Sequence, residues 1–125
     1  MSSNSQLNPP ISSPKNVEDF VLFPNSRGVV YKADQDTAGV NEIYQVMFGI
    51  PGSTRLNPAL SLALGQNVST YAVAPDSSSA IYLANQDNQF SVELYRTLFS
   101  SPGSSIKLNS PSLVAGEDVA NFTVR

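Results

Sequence analysis

The chain repeats itself at an interval of 51 residues, and nothing else in it limits the possible folds so tightly. Asn16-Val17 returns as Asn67-Val68, and Asp118-Val119 follows at the same spacing. Pro24 matches Pro75, Tyr31 matches Tyr82, and Gln35-Asp36 matches Gln86-Asp87. Glu42, Tyr44 and Phe48 return as Glu93, Tyr95 and Phe99, and Pro51-Gly52-Ser53 returns as Pro102-Gly103-Ser104. One extra residue near Ile106 displaces Leu56-Asn57 onto Leu108-Asn109, and the register is restored at Gly65 and Gly116. Identity sustained in this way is duplication, and each copy is then one supersecondary unit. The ends extend the pattern. Leu7-Asn8-Pro9 matches the close of a unit at Leu56-Asn57-Pro58, and Asp118 to Arg125 resembles the opening at Asn16 to Phe23. The expected organisation is a flexible N-terminal arm with the end of a preceding repeat over 1–15, repeats over 16–66 and 67–117, and the first strand of a further repeat over 118–125.

Each unit resolves into four short strand segments separated by turn chemistry. Val17 to Phe23 and Val68 to Ala74 are rich in β-branched and aromatic residues, which suit a pleated, half-buried surface. They stop at Pro24-Asn25-Ser26 and Pro75-Asp76-Ser77, where proline presets φ and Asn or Asp bonds back to its own backbone. Second strands are expected at Val29 to Ala33 and Ala80 to Ala84, then polar loops from Asp34 to Asn41 and Asn85 to Ser91. Third strands follow at Glu42 to Phe48 and Glu93 to Phe99, and fourth, shorter ones at Thr54 to Leu56 and Ile106 to Leu108. Asn57 to Leu64 is Ala and Leu-rich and competes as a helix. Its counterpart, Ser110 to Gly116, has Pro111 inside it, so the expectation is a loop.

Composition agrees. Asp, Glu, Lys and Arg make up only 14% of 125 residues, against an average of about 25%. Ser, Asn, Thr and Gln supply the polarity, as short strands and tight turns prefer. With no cysteine and no histidine, disulfides, thiolate metal sites and any Ser-His or Cys-His pairing are excluded. The net charge is −3 and the seven Lys and Arg are scattered singly, so there is no basic stripe to neutralise phosphates and no nucleic-acid partner is expected. No apolar run approaches the roughly 20 residues of a membrane helix, and no membrane partner is expected.

Four antiparallel strands in a repeat of this length are the signature of a propeller blade. The run Val68 to Leu83, with Val92-Glu93-Leu94-Tyr95, Pro102-Gly103 and Lys107-Leu108-Asn109, resembles the TolB-type β-propeller repeat. That family's pattern runs from a Ser-Pro-Asp-Gly turn through an apolar strand and a Leu-Tyr strand to a Gly-Gly turn and an Arg-Leu-Thr strand. The chain departs from it at two turn positions. Phe23 and Ala74 stand where the family has serine, and Ser26 and Ser77 stand where it has glycine. The resemblance implies a fold and a recognition surface, not an activity. The fold class expected is all-β, with two four-stranded antiparallel repeats as propeller blades, completed by oligomerisation.

Four strands at about 4.8 Å spacing and about 17 Å length give each blade face roughly 300 Å² of flat area. Two blades in contact leave two outer faces bare, each near the largest apolar patch that soluble monomers show. The expected partner is therefore the chain itself, in a ring closed by head-to-tail contacts, with exchange of the strand Val119 to Val124 as one route. A protein or small-ligand partner on the ring is a further expectation.

Chemistry-bearing residues cluster in the repeat loop. Asp34, Asp36 and Glu42, mirrored by Asp87 and Glu93, are the candidate binding residues. Alternating carboxylates and amides suit calcium, which takes six to eight oxygens. The second copy lacks the glycine and one carboxylate, which favours an Asx-rich turn over a metal cage. No metal or cofactor is expected. The recurrent tyrosines Tyr31, Tyr44, Tyr82 and Tyr95 read as blade-to-blade packing with the hydroxyl bonded at the edge, and Phe48 and Phe99 read as core. Carboxylate pairs can hydrolyse glycosides, but duplicated acids fit repeated structure better than one asymmetric site. The chain therefore reads as a non-catalytic module for self-assembly and recognition. The alternative is the propeller portion of a larger enzyme or carbohydrate-acting protein.

Overall fold

The computed structural model describes residues 15–50 and 52–109. The expected arm before residue 15, the segment Ser110 to Gly116 and the further repeat from Asp118 lie outside the described residues. The first repeat forms β1 (Val17–Leu22), β2 (Gly28–Ala33), β3 (Glu42–Met47) and β4 (Thr54–Arg55). The second forms β5 (Val68–Val73), β6 (Ser79–Asn88), β7 (Ser91–Leu98) and β8 (Ser105–Lys107). Each set makes its own four-stranded sheet in chain order, and every neighbouring pair is antiparallel. The protein is thus all-β, and among the described residues there is no helix. Asn57 to Leu64 is irregular and ends in a turn that closes with Gly65 N donating to Leu62 O.

The first hairpin of each sheet is built by the Pro-Asn/Asp-Ser turn. Ser26 N donates to Phe23 O and Phe23 N to Gly28 O, with Asn25 Oδ1 accepting Arg27 N. Ser77, Ala74, Ser79, Asp76 and Ser78 repeat the arrangement in the second sheet. Both turn serines are left-handed, at φ 62° for Ser26 and 60° for Ser77. Gly28 sits in a close approach, since a Cβ there would meet the Val46 carbonyl oxygen at 2.6 Å and the Phe23 ring at 3.2 Å.

The polar loops after β2 and β6 differ. In the first copy Gly39 adopts φ +87° and Asp34 Oδ2 accepts its N–H, holding an irregular loop. The second copy has Phe90 in place of that glycine. There β6 runs on to Asn88, which pairs with Ser91, so most of the stretch expected as a loop from Asn85 to Ser91 is hairpin. Asn88 Oδ1 accepting Phe90 N closes it.

Alternation gives each sheet two faces. One face, here the front, carries the cross-strand row Phe20–Tyr31–Tyr44–Arg55 in the first sheet and Tyr71–Tyr82–Tyr95–Lys107 in the second. The pairing of Arg55 and Lys107 opposite the equivalent tyrosines puts the extra residue of the second repeat just before Ile106. The sheets stack front to back. Tyr82, Tyr95, Val68, Val73, Ala80 and Ala84 from the front of the second meet Val30, Ile43 and Leu56 from the back of the first, with Phe23 at the rim. Hydrogen bonds fix this contact. Thr97 Oγ1 and Gly103 N donate to Leu56 O, Gln45 Nε2 donates to Phe99 O, and Tyr71 Oη donates to Asp19 Oδ1 at 2.8 Å. The front of the first sheet holds its own buried group of Val29, Tyr31, Ala33, Tyr44 and Val46.

The phenylalanines divide. Phe99 stacks on Phe23 with ring centroids 4.5 Å apart, as core. Phe48, expected as core too, is 44% exposed. The cause is its repeat position. Phe99 is covered because the first sheet presents Phe23 to it, and Phe48 would need the same residue from a sheet stacked on the first sheet's front.

Candidate functional site

Each sheet carries the same polar cluster, where the loop after its second strand meets its fourth strand. In the first, Glu42 opens β3 with its side chain pointing to the front face, and it is only 2% exposed. A carboxylate so placed must be hydrogen-bonded and paired. Asn57 Nδ2 donates to Glu42 Oε2 at 3.0 Å, Leu60 N at 3.3 Å, and Tyr44 Oη donates to Oε1 at 3.4 Å. Arg55, on β4, lies with Nε 3.7 Å from Glu42 Oε2 and donates through Nη1 to Asp36 Oδ2 at 3.1 Å. Burial pushes the Glu42 carboxyl above the usual range, and the Asn57 bond and the Arg55 charge oppose it.

The second copy keeps the plan and changes the cation. Lys107 Nζ sits 2.6 Å from Glu93 Oε2 and 2.9 Å from Asp87 Oδ2. Tyr95 Oη donates to Glu93 Oε2 at 3.3 Å. The bonds to Glu93 and Asp87 raise the Lys107 ammonium above its ordinary value. An ammonium so paired keeps its proton at neutral pH and offers no free amine for general-base or nucleophilic work.

The tyrosines are packed. Tyr31 and Tyr44 stack at 5.3 Å, and Tyr82 and Tyr95 at 5.5 Å. Tyr31 Oη donates to Gln35 Oε1 at 2.6 Å, and Tyr82 Oη donates to Gln86 Oε1 at 2.7 Å. Burial pushes the Tyr82 phenol up to about 12, and burial with the neighbouring carboxylates raises Tyr44 and Tyr95 further. All three hold their protons at neutral pH and act as donors to fixed acceptors.

The structure therefore splits the candidate residues. Asp36 and Glu42 are gathered by Arg55, and Asp87 and Glu93 by Lys107. Asp34 stands apart. Its Oδ1 accepts Asn16 N at 2.7 Å and its Oδ2 accepts Gly39 N at 2.9 Å, and these bonds lower its pKa. It caps a loop. Among the described residues no three metal-ligating side chains gather where they would hold an ion, and no helix is long and apolar enough to cross a membrane. Sequence reasoning missed Arg55 and Lys107. The signal was present, because a basic residue recurs one place before Leu56 and Leu108 once the inserted residue is allowed for.

What the arrangement can do follows from its partners. Each buried carboxylate is engaged by a cation on the fourth strand and a phenol on the third, so the cluster pins the short edge strand to the sheet. The acids sit in two equivalent places rather than facing one another across a cleft. In comparisons with known proteins, no family model matches the chain, and no curated protein matches it closely enough to count as a relative.

Proposed function

We propose that this chain is a non-catalytic repeat module whose two sheets are blades of the β-propeller kind, serving self-assembly and the recognition of a protein or ligand. The single observation that carries the reading is the front-to-back stacking of two equivalent sheets. A contact between unlike faces is not self-complementary, so a stack built on it can add further copies until the rotation closes. The resemblance of Val68 to Leu83 to the TolB-type repeat supports the same reading. So does the engagement of the buried acids within their own sheets, which leaves them structural work. Propellers close with about four to eight blades, which corresponds to two, three or four copies of a two-blade chain.

The test is the mass in solution. Sedimentation equilibrium at micromolar concentration is expected to give one discrete oligomer of two to four chains. A folded, stable monomer under those conditions would remove the assembly reading.

A further inference from the structure

The front of the first sheet is buried by something other than the second sheet. Ala33 is 0% exposed, Val29 3% and Val46 4%, yet the buried group on this face is drawn from β2 and β3 alone, and the second sheet packs on the opposite side. Neighbouring strands screen a side chain from the flanks and leave its tip in water, so a face buried to this degree has chain lying across it. The cover is uneven. Phe20 and Leu22, the β1 partners of Tyr31 and Val29, are 65% and 55% exposed. It therefore lies over β2 and β3 and stops short of β1.

The joint between the two sheets shows which kind of segment covers a front in that way. Over the front of the second sheet, β1 lies on the β5 side, where Tyr71 Oη donates to Asp19 Oδ1. The end of the first repeat lies on the β7 side. Leu56 O accepts Thr97 Oγ1 at 3.0 Å and Gly103 N at 2.9 Å, and Leu60 packs against the same core. A cover that buries β3 and spares β1 is thus of the Leu56 and Leu60 type, not of the β1 type. The pattern Leu56-Asn57-Pro58-Ala59-Leu60 occurs once more ahead of the first sheet, as Leu7-Asn8-Pro9-Pro10-Ile11, outside the described residues.

We infer that segment 7–11 closes the front of the first sheet of its own chain, with Leu7 and Ile11 in the places that Leu56 and Leu60 take on the second. The receiving residues match. Val68, Ala80, Tyr82, Ala84 and Tyr95 recur as Val17, Val29, Tyr31, Ala33 and Tyr44. Gly103, whose N–H bonds Leu56 O, recurs as Gly52 with the same left-handed backbone, at φ 84° and 93°. Thr97 recurs as Val46, which exchanges the hydroxyl bond for apolar contact with Leu7. The connection fits as well. Each first strand is entered through an asparagine whose N–H bonds a loop side chain, Asn16 to Asp34 Oδ1 and Asn67 to Asn85 Oδ1. Asn67 follows Leu60 by seven positions and Asn16 follows Ile11 by five. The longer path turns back where Gly65 N donates to Leu62 O, so the shorter one makes the same crossing by running straighter, with a reach of up to about 17 Å. This contact is made within one chain, whether or not copies assemble. A further copy stacking at this end would have to displace it.

Hydroxyl-radical labelling of the full chain, read by mass spectrometry at each tyrosine, tests this, with Tyr82 and Tyr95 as internal controls on the second sheet. In the wild type Tyr31 and Tyr44 should label as little as the controls. Leu7→Asp combined with Ile11→Asp is expected to raise labelling of Tyr31 and Tyr44 severalfold and leave Tyr82 and Tyr95 unchanged. Leu7→Ala combined with Ile11→Ala should raise the same two tyrosines by less, so that loss of fold in the aspartate variant does not hide the result. No rise at Tyr31 and Tyr44 in the alanine variant, or an equal rise at all four tyrosines in both variants, would overturn the inference. So would a rise at Tyr31 and Tyr44 on Phe122→Asp with segment 7–11 intact, which gives the cover to the last strand-forming stretch of the chain instead. Dilution separates this from the assembly reading. Protection kept by a monomer sustains the inference while that reading falls. Protection lost as an oligomer dissociates gives the cover to another copy and overturns the inference alone.

Discussion

Asn57 and Asn109 occupy one position in the two repeats but not one environment. Asn57 Oδ1 accepts Ile43 N at 2.8 Å, while its Nδ2 donates to Glu42 and to Pro58 O. Asn109 Oδ1 accepts Leu94 N at 2.7 Å, but its Nδ2 finds no acceptor. The cation explains the difference. Lys107 comes to 2.6 Å from Glu93 Oε2, the oxygen whose counterpart in the first repeat receives Asn57, whereas Arg55 Nε stands 3.7 Å from its own. An unmade bond by a buried donor costs about as much as a made one contributes, and often more. Asn57→Ala is therefore expected to destabilise the fold by about 3 kcal/mol, and Asn109→Ala by about 1 kcal/mol, since the second removes an unsatisfied donor along with a bond. Urea unfolding of the two variants gives the comparison directly. Equal losses would mean that the two amides are equivalent after all.

The hairpin turns between β1 and β2 and between β5 and β6 show how an element tolerates a departure from the residue its geometry prefers. Serine holds the left-handed position in both, where glycine would sit without Cβ strain. The strain is about 1 kcal/mol, and glycine's extra freedom in the unfolded chain offsets part of what is recovered. Ser26→Gly should therefore raise stability by about 0.5 kcal/mol. Ser77→Gly should gain nothing net, because Ser77 Oγ accepts Asn25 N at 3.0 Å and ties the two turns together. Thermal unfolding that ranks Ser77→Gly above Ser26→Gly would contradict the role given to that hydroxyl. At the same scale, the strands were readable because their signals are local, with β-branched and aromatic runs ending at Pro-Asn or Pro-Asp. The β6 to β7 connection was misjudged as loop because Asn, Gln and Asp look alike there in composition. Whether the ladder continues depends on Gly39 in one copy and Phe90 in the other.

For the molecule as a whole, the joint between the sheets carries stability that neither sheet has alone. The Phe23–Phe99 stack is its clearest cross-sheet pair, with ring planes nearly parallel at an interplanar angle of 12°. Aromatic pairs contribute about 0.5–1.5 kcal/mol beyond their buried area. A double-mutant cycle with Phe23→Leu and Phe99→Leu, which retains most of the apolar volume, should return a coupling of about 1 kcal/mol. Coupling indistinguishable from zero would mean the rings are neighbours without being partners. This cycle reads the joint within the chain, so it is insensitive to how many copies assemble provided protein concentration is held fixed.

The order of residues alone was enough to fix the duplication, the all-β character, the strand order and the turns, because each rests on interactions between residues close in the chain. It also grouped Asp36 with Glu42, and Asp87 with Glu93, as one recurring constellation. Three things were left to the tertiary structure. The front of one sheet was set against the back of the next, Phe99 was partly covered by Phe23 while its twin Phe48 was left more exposed, and Arg55 and Lys107 were brought onto the buried acids. The physical reason is common to all three. A repeat writes the same residue twice, but burial depends on what lies across from it, and among the described residues the first back and the second front are the faces that meet.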